Sequence, residues 1–262
     1  MKSLLATLLV ALLTGCVSTP VIDRSLTAKS QSSRVKYIIV HYTVSDTPQS
    51  IKILTEQTVS SHYLLTDEQA PKIYQLVDES LQANHAGVSN WKGHTLLNGS
   101  SVGIEIVNKG FTEGPDGRVW YPFAQPQVDQ LIALLKKIVA RHGVPPENIL
   151  GHSDIAPQRK QDPGPLFPWY QLAQHGLIVW PDPAKVSAAK VLFDQQAPDV
   201  GWFQKKLAAH GYAVPQNGEY DEATKNVITA FQMKYRPLII DGTPDLETAA
   251  LLEALTSVTP KP

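Results

Sequence analysis

Residues 35–43 (VKYIIVHYT) constrain the fold most. Nothing polar interrupts the run between Tyr37 and Val40, and β-branched and aromatic residues dominate it. Such a run is predicted as a central strand buried on both faces. His41 stands at its C-terminal end, the end at which α/β sheets present functional side chains. A second strand is predicted over residues 101–108 (SVGIEIVN). By alternation, Val102, Ile104 and Ile106 share one face, and Gly103, Glu105 and Val107 share the other. Glu105 is then a carboxylate in a core strand. It has to be neutral, paired with a cation, or close to metal-bound water.

Shorter elements are predicted around these two. Pro48 opens a helix over residues 48–57, and residues 60–65 and 72–77 form two strands joined by a turn. Residues 84–91 (NHAGVSNW) form a polar loop suited to touching a ligand, and residues 110–121 form a surface loop around Gly-Pro-Asp-Gly. The clearest helix runs over residues 127–142. Val128, Leu131, Ile132, Leu135, Ile138 and Val139 recur at helical spacing, and Gly143 stops it. A short strand over residues 148–151 then leads into residues 151–164 (GHSDIAPQRKQDPG), a turn-rich loop carrying a histidine, a lysine and two aspartates.

The N-terminus reads as an address. Met1-Lys2 and the apolar run of residues 4–13 have signal-peptide length, and Leu13-Thr14-Gly15-Cys16 resembles a bacterial lipobox with Cys16 as the lipidated residue. Cys16 is the only cysteine, so no disulfide can form within the chain and no thiolate can serve as catalyst or metal ligand. Val17 stands where an aspartate would signal retention at the inner membrane, which implies the outer membrane, facing the periplasm, if the host is Gram-negative. The net charge of −1 offers no basic footprint for nucleic acid.

The 262 residues divide on this reading into a leader (1–16), a tether (17–33), a first domain (34–178), a linker (179–195) and a small helical domain (196–258). In the last, Asp-x-x-Thr recurs at Asp221 and Asp245, each time before an apolar helix, as expected of N-caps. With Phe203-Gln204 and Phe231-Gln232, the pattern resembles the three-helix peptidoglycan-binding domain, although Asn217-Gly-Glu-Tyr220 departs from that family's usual turn.

His41, His152 and Asp162 suit a catalytic zinc by residue type, with Cys excluded, but they form a scattered constellation. The ordered pieces YIIVHYT, SSHYLL, KIYQLV, NHAG, SVGIEIVN and GHSDIAPQRKQDPG together resemble the zinc-dependent N-acetylmuramoyl-L-alanine amidase family over residues 34–176. That family shares its fold with peptidoglycan-recognition proteins and a phage lysozyme. The resemblance implies an α/β fold with a central mixed sheet flanked by helices. It also implies Zn2+ on His41, His152 and Asp162, and catalytic roles for Glu105 and Lys160. The reaction it implies is hydrolysis of the amide between N-acetylmuramic acid, or its anhydro form, and L-alanine.

His85 and Asn108 are expected to contact substrate, His62 to be structural, and Asp154 to cap a turn. The expected partners are peptidoglycan or muropeptides, and the membrane through the lipid on Cys16, with the chain acting as a monomer. A non-catalytic peptidoglycan-binding lipoprotein is the alternative. A zinc peptidase is a third reading, without the H-E-x-x-H signature to support it.

Overall fold

The structure is a computed structural model that describes residues 19–115 and 117–257. The leader and Cys16 lie outside the described residues. Residues 19–32 form a unit of their own, exposed and without helix or strand, and the described residues from Ser33 onward form a second, compact unit.

The second unit opens with β1 (Tyr37–Tyr42), α1 (Thr47–Glu56), β2 (Tyr63–Leu65) and β3 (Ile73–Gln75), then β4 (Asn90–Trp91), β5 (His94–Thr95) and β6 (Ser101–Ile106). A hairpin of β7 (Phe111–Gly114) and β8 (Gly117–Trp120) follows, then α2 (Gln125–His142), β9 (Ile149–Gly151), α3 (His152–Ile155) and α4 (Trp169–Gln174). The chain ends in four helices, α5 (Pro183–Gln195), α6 (Val200–His210), α7 (Glu222–Tyr235) and α8 (Leu246–Thr256). The main sheet has the order β3-β2-β6-β1-β9, with β1 central, parallel to both β6 and β9, and only β3 antiparallel. This is the mixed sheet that the resemblance implied.

A central strand buried on both faces needs two covering layers. On one face Ile38, Val40, Val102, Ile104 and Ile106 pack with Val128, Leu131, Leu135 and Ile138 of α2. On the other, Tyr37, Ile39 and Leu150 share one continuous apolar cluster with Ala86, Trp91 and Leu97, and also with Phe203, Leu207, Tyr212 and Phe231 of the C-terminal helices. The two expected domains therefore share a core. His142, in the last turn of α2, pairs with Glu79 at 2.7 Å, beside Arg141 at 2.6 Å and the Tyr63 hydroxyl at 2.7 Å. Burial opposes ionisation of Glu79, but these donors together hold its carboxyl down at about 2.

Two expectations are corrected. Residues 110–121 are not an open loop but the β7–β8 hairpin, closed by Phe111 against Trp120 with ring centroids 5.0 Å apart. Residues 179–195 are not a linker, because most of them form α5. Asp182 caps it by accepting from the amides of Ala184 and Lys185, and Ala189 and Phe193 are buried. Alanine is a strong helix former, and the buried Ala189 and Phe193 hold this helix in place.

The Asp-x-x-Thr repeat does more than cap. Asp221 and Asp245 accept from the amides of Thr224 and Thr248 at 2.7 and 2.9 Å. The hydroxyls of those threonines accept from the buried amides of Gln204 (2.9 Å) and Gln232 (3.2 Å), whose oxygens accept from Gly218 and Gly242 N–H, both at 2.8 Å. Each Phe-Gln thus ties one helix to the turn and cap of the next, and this accounts for the recurrence of the motif.

Candidate metal centre

Strand register assembles the site. In the β1–β6 ladder His41 lies opposite Glu105, so the two side chains leave the same face of neighbouring strands. In the β1–β9 ladder Val40 lies opposite Gly151, which brings the next residue, His152, level with His41. Residues 156–161 carry the chain around to Asp162, and Ser153 N–H closes that loop on the Asp162 carbonyl at 2.8 Å.

His41, His152 and Asp162 are all buried. His41 Nδ1, His152 Nδ1 and Asp162 Oδ2 form a near-equilateral triangle with sides of 2.9, 3.0 and 3.1 Å. The surrounding hydrogen bonds assign the protons. Ser101 Oγ donates to the Leu97 carbonyl at 2.6 Å, so it accepts from His85 Nε2 at 3.2 Å. His85 Nδ1 is then an acceptor and takes the proton of His41 Nε2 at 3.0 Å. His152 Nε2 faces the Ala86 carbonyl at 3.2 Å and has to donate to it. Arg159 lies 3.3 Å from the same nitrogen, but its guanidinium donates to the carbonyls of Ala86 and Val88, at 2.5 and 2.7 Å.

A neutral imidazole carries one N–H, so both Nδ1 atoms present lone pairs to the carboxylate oxygen. With both rings neutral, a bound cation satisfies all three corners. Two imidazoles and one carboxylate are a zinc donor set, and the sides are close to the ~3.3 Å edge of a tetrahedron on roughly 2 Å bonds. Electrostatics agree. Burial first, then the neighbouring His152, push the His41 imidazole down to about 4, keeping it neutral.

The triangle opens into a cleft of about 260 Å³ lined also by Glu105, Lys160, Asn84, Thr43, Ser45 and Val44. Glu105 is partly exposed, yet its Oε2 is enclosed without a hydrogen-bond partner. Burial, reinforced by the negative Asp162, pushes its carboxyl up to about 8. Its environment suits a group that takes up and releases a proton near neutral pH.

His85 and Asn108, expected to contact substrate, are both held by hydrogen bonds, and His85 also lines the cleft. His85 pairs both ring nitrogens, with His41 and Ser101, so it orients the His41 ring. Gly103 makes room for it, since a Cβ there would lie 2.4 Å from the His85 ring. Asn108 is buried and pins a loop, donating to the carbonyls of Tyr121 (3.3 Å) and Pro122 (3.0 Å) and accepting from Gly110 N–H. His62 is structural: its Nδ1 accepts from Gly103 N–H at 3.0 Å. Asp154 does accept from Gly151 N–H at 2.8 Å, but it also accepts from Tyr212, just past the end of α6, and from Lys234 of α7.

Sequence reasoning missed Arg159 as the tie between the metal loop and residues 86–88. It also missed Val44, a β-branched residue at φ 55 that is 59% exposed in the cleft wall. Neither carries a local motif.

The N-acetylmuramoyl-L-alanine amidase family model matches residues 31–165, and a putative peptidoglycan binding domain matches residues 196–252. The chain is 42% identical over 240 residues to N-acetylmuramoyl-L-alanine amidase AmiD of Escherichia coli (strain K12), which spans 89% of this chain and 87% of that protein. Among solved structures, the complex of the E. coli amidase with the substrate anhydro-N-acetylmuramic acid-L-Ala-D-gamma-Glu-L-Lys has a TM-score of 0.80 at 41% identity, covering 89% of this chain and 93% of that one. AmpDh3 from Pseudomonas aeruginosa has a TM-score of 0.84 at 35% identity, covering 90% and 98%.

Proposed function

The chain belongs to the N-acetylmuramoyl-L-alanine amidase family, and we propose that it is a zinc enzyme of the cell envelope in which Glu105 and Lys160 act on the amide joining N-acetylmuramic acid to L-alanine. The observation that carries this reading is the buried triangle of His41 Nδ1, His152 Nδ1 and Asp162 Oδ2, set beside the enclosed, unpartnered Oε2 of Glu105 in an open cleft. Relatives solved with anhydromuramic peptides support anhydro-muropeptides as one substrate class.

Zinc bound by His41, His152 and Asp162 would supply a Lewis acid that polarises the scissile carbonyl and acidifies water. Glu105 takes the proton of the attacking water and returns it to the leaving amine of L-alanine. Lys160, on the cleft wall, donates to the carbonyl oxygen as negative charge builds there. His85 and Arg159 hold the ligand-bearing segments still. Lys160→Ala is expected to lower kcat about 100-fold with zinc content unchanged, as read by steady-state kinetics alongside metal analysis. An equal loss of zinc would move Lys160 from the oxyanion to the metal.

Mass spectrometry of muropeptides incubated with the purified chain tests the reaction. Free stem peptides beginning at L-alanine support the amidase. Cuts inside the peptide, or retention without cleavage, would overturn it in favour of a peptidase or a binding protein.

We read residues 1–16 as a lipoprotein leader with Cys16 as the anchor, on the outer membrane facing the periplasm in a Gram-negative host. No helix among the described residues is long and apolar enough to cross a membrane. Cys16→Ser is expected to abolish incorporation of labelled fatty acid and to release the chain from the membrane fraction. A labelled Cys16→Ser chain would rule out this anchor.

A further inference from the structure

The Asp154 carboxylate is buried two residues beyond the ligand His152. One oxygen accepts from Gly151 N–H and from the Lys234 ammonium, each at 2.8 Å, and the other from the Tyr212 hydroxyl at 2.5 Å. Lys234 lies in α7 with its side chain 4% exposed. Its ammonium also donates to the Ile149 carbonyl at 3.3 Å and sits 4.4 Å from the centre of the Trp169 ring. A single cation from the helical region therefore touches both β9 and the α3 turn, which meet at His152.

Two further contacts reach the same loop. Gln158, two residues before Lys160, donates to the Ala223 carbonyl at 2.9 Å and accepts from Asn226 at 3.0 Å. Tyr212 also packs edge-on against Trp91, with centroids 5.0 Å apart, and Lys92 N–H donates to the Gly211 carbonyl at 2.8 Å. Trp91 closes the segment whose Ala86 carbonyl accepts from His152 Nε2. The helical region thus grips both chain segments that determine where His152 stands.

Adhesion alone does not call for this chemistry. An apolar contact would join two layers at least as well, because a buried ion pair returns little net stability against the cost of stripping water from both charges. What a buried, multiply bonded carboxylate adds is a unique register. We infer that Lys234 and Tyr212, acting through Asp154, are positioning residues for the metal centre, so that metal retention depends on the peptidoglycan-binding-like helices. The inference rests on the reading of His41, His152 and Asp162 as a zinc site.

Full-length variants test it, with zinc affinity measured by competition with a chromogenic chelator and the coordination geometry read from the visible spectrum of the cobalt(II) form. Lys234→Met is expected to weaken zinc about 10- to 100-fold, to alter the cobalt spectrum and to speed hydrogen exchange over residues 149–164. Tyr212→Phe, which removes one hydrogen bond and no charge, is expected to move the same readouts in the same direction by a few-fold. Arg236→Met is the control. Arg236 is buried and paired with Asp245 and Glu247, so its loss should lower the melting temperature while leaving zinc affinity and the cobalt spectrum unchanged. Wild-type zinc affinity in both Lys234→Met and Tyr212→Phe would overturn the inference, and so would an equal weakening in Arg236→Met. A wild-type chain that takes up no zinc would instead overturn the functional reading, and this inference with it.

Discussion

Glu105→Gln is expected to lower kcat by about 10²- to 10⁴-fold while the protein keeps its zinc and its fold. The amide keeps the shape of the side chain but cannot accept the proton of the attacking water. The same substitution has an opposite effect on stability in the zinc-free protein, and the sign follows from the direction of the shift. The Glu105 carboxyl is raised from 4.5 to about 8 in the fold, so the folded state binds its proton more tightly than the unfolded chain does. The Glu105 contribution to the stability of the zinc-free protein should therefore be lost as pH rises from about 4.5 to about 8, while buried His41 and His210, each held down from 6.5 to about 4, give the opposite slope over the lower part of that range. The penalty is on the order of several kcal/mol. Glu105→Gln should remove this contribution and leave that of the histidines. The difference in urea stability between the two zinc-free proteins, compared at pH 5 and pH 8, isolates the Glu105 effect. Wild-type turnover in Glu105→Gln would take the proton transfer away from this residue.

His41→Ala is expected to abolish zinc binding and lower turnover by more than about 10⁴-fold. Removing one corner of the triangle leaves two donors, and it also leaves His85 Nδ1 without the proton it accepts from His41. Zinc saturating at ~1,000 times its dissociation constant stabilises a native protein by about 4 kcal/mol. Added zinc should therefore raise the melting temperature of the wild type and leave that of His41→Ala unmoved. Metal analysis together with calorimetry checks both halves. An active zinc-free preparation of the wild type would remove the metal from the reaction altogether.

How much of this was legible differs from residue to residue. The strand over residues 35–43 and the two faces of residues 101–108 were readable because a period of two and unbroken apolarity are local signals. Glu105 stood out because a carboxylate inside such a strand needs a reason to be there. His85 was not legible in the same way. Its loop suggested substrate, whereas its ring is spent on His41 and Ser101, a relation set by the packing of residues 84–97 against β6. Asn108 is similar: its place just past Glu105 suggested substrate, and the loop that its hydrogen bonds close could not be read from its neighbours in sequence. Residues 179–195 were misread because alanine-rich sequence is spacer or helix depending on what packs against it.

The sequence by itself determined the two central strands, the long helix, the repeat of caps in the C-terminal region and the residue types of the candidate metal site. Each of these is written in neighbouring residues, as periodicity, capping or side-chain chemistry. Only the tertiary structure decided that His41 stands opposite Glu105 and level with His152, and that His85 supplies the acceptor that orients His41. It alone brought Lys234, 80 residues away, onto the carboxylate beside a metal ligand. Strand register and the burial of a second sheet face are agreements between distant segments, and no window of sequence contains both parties to them.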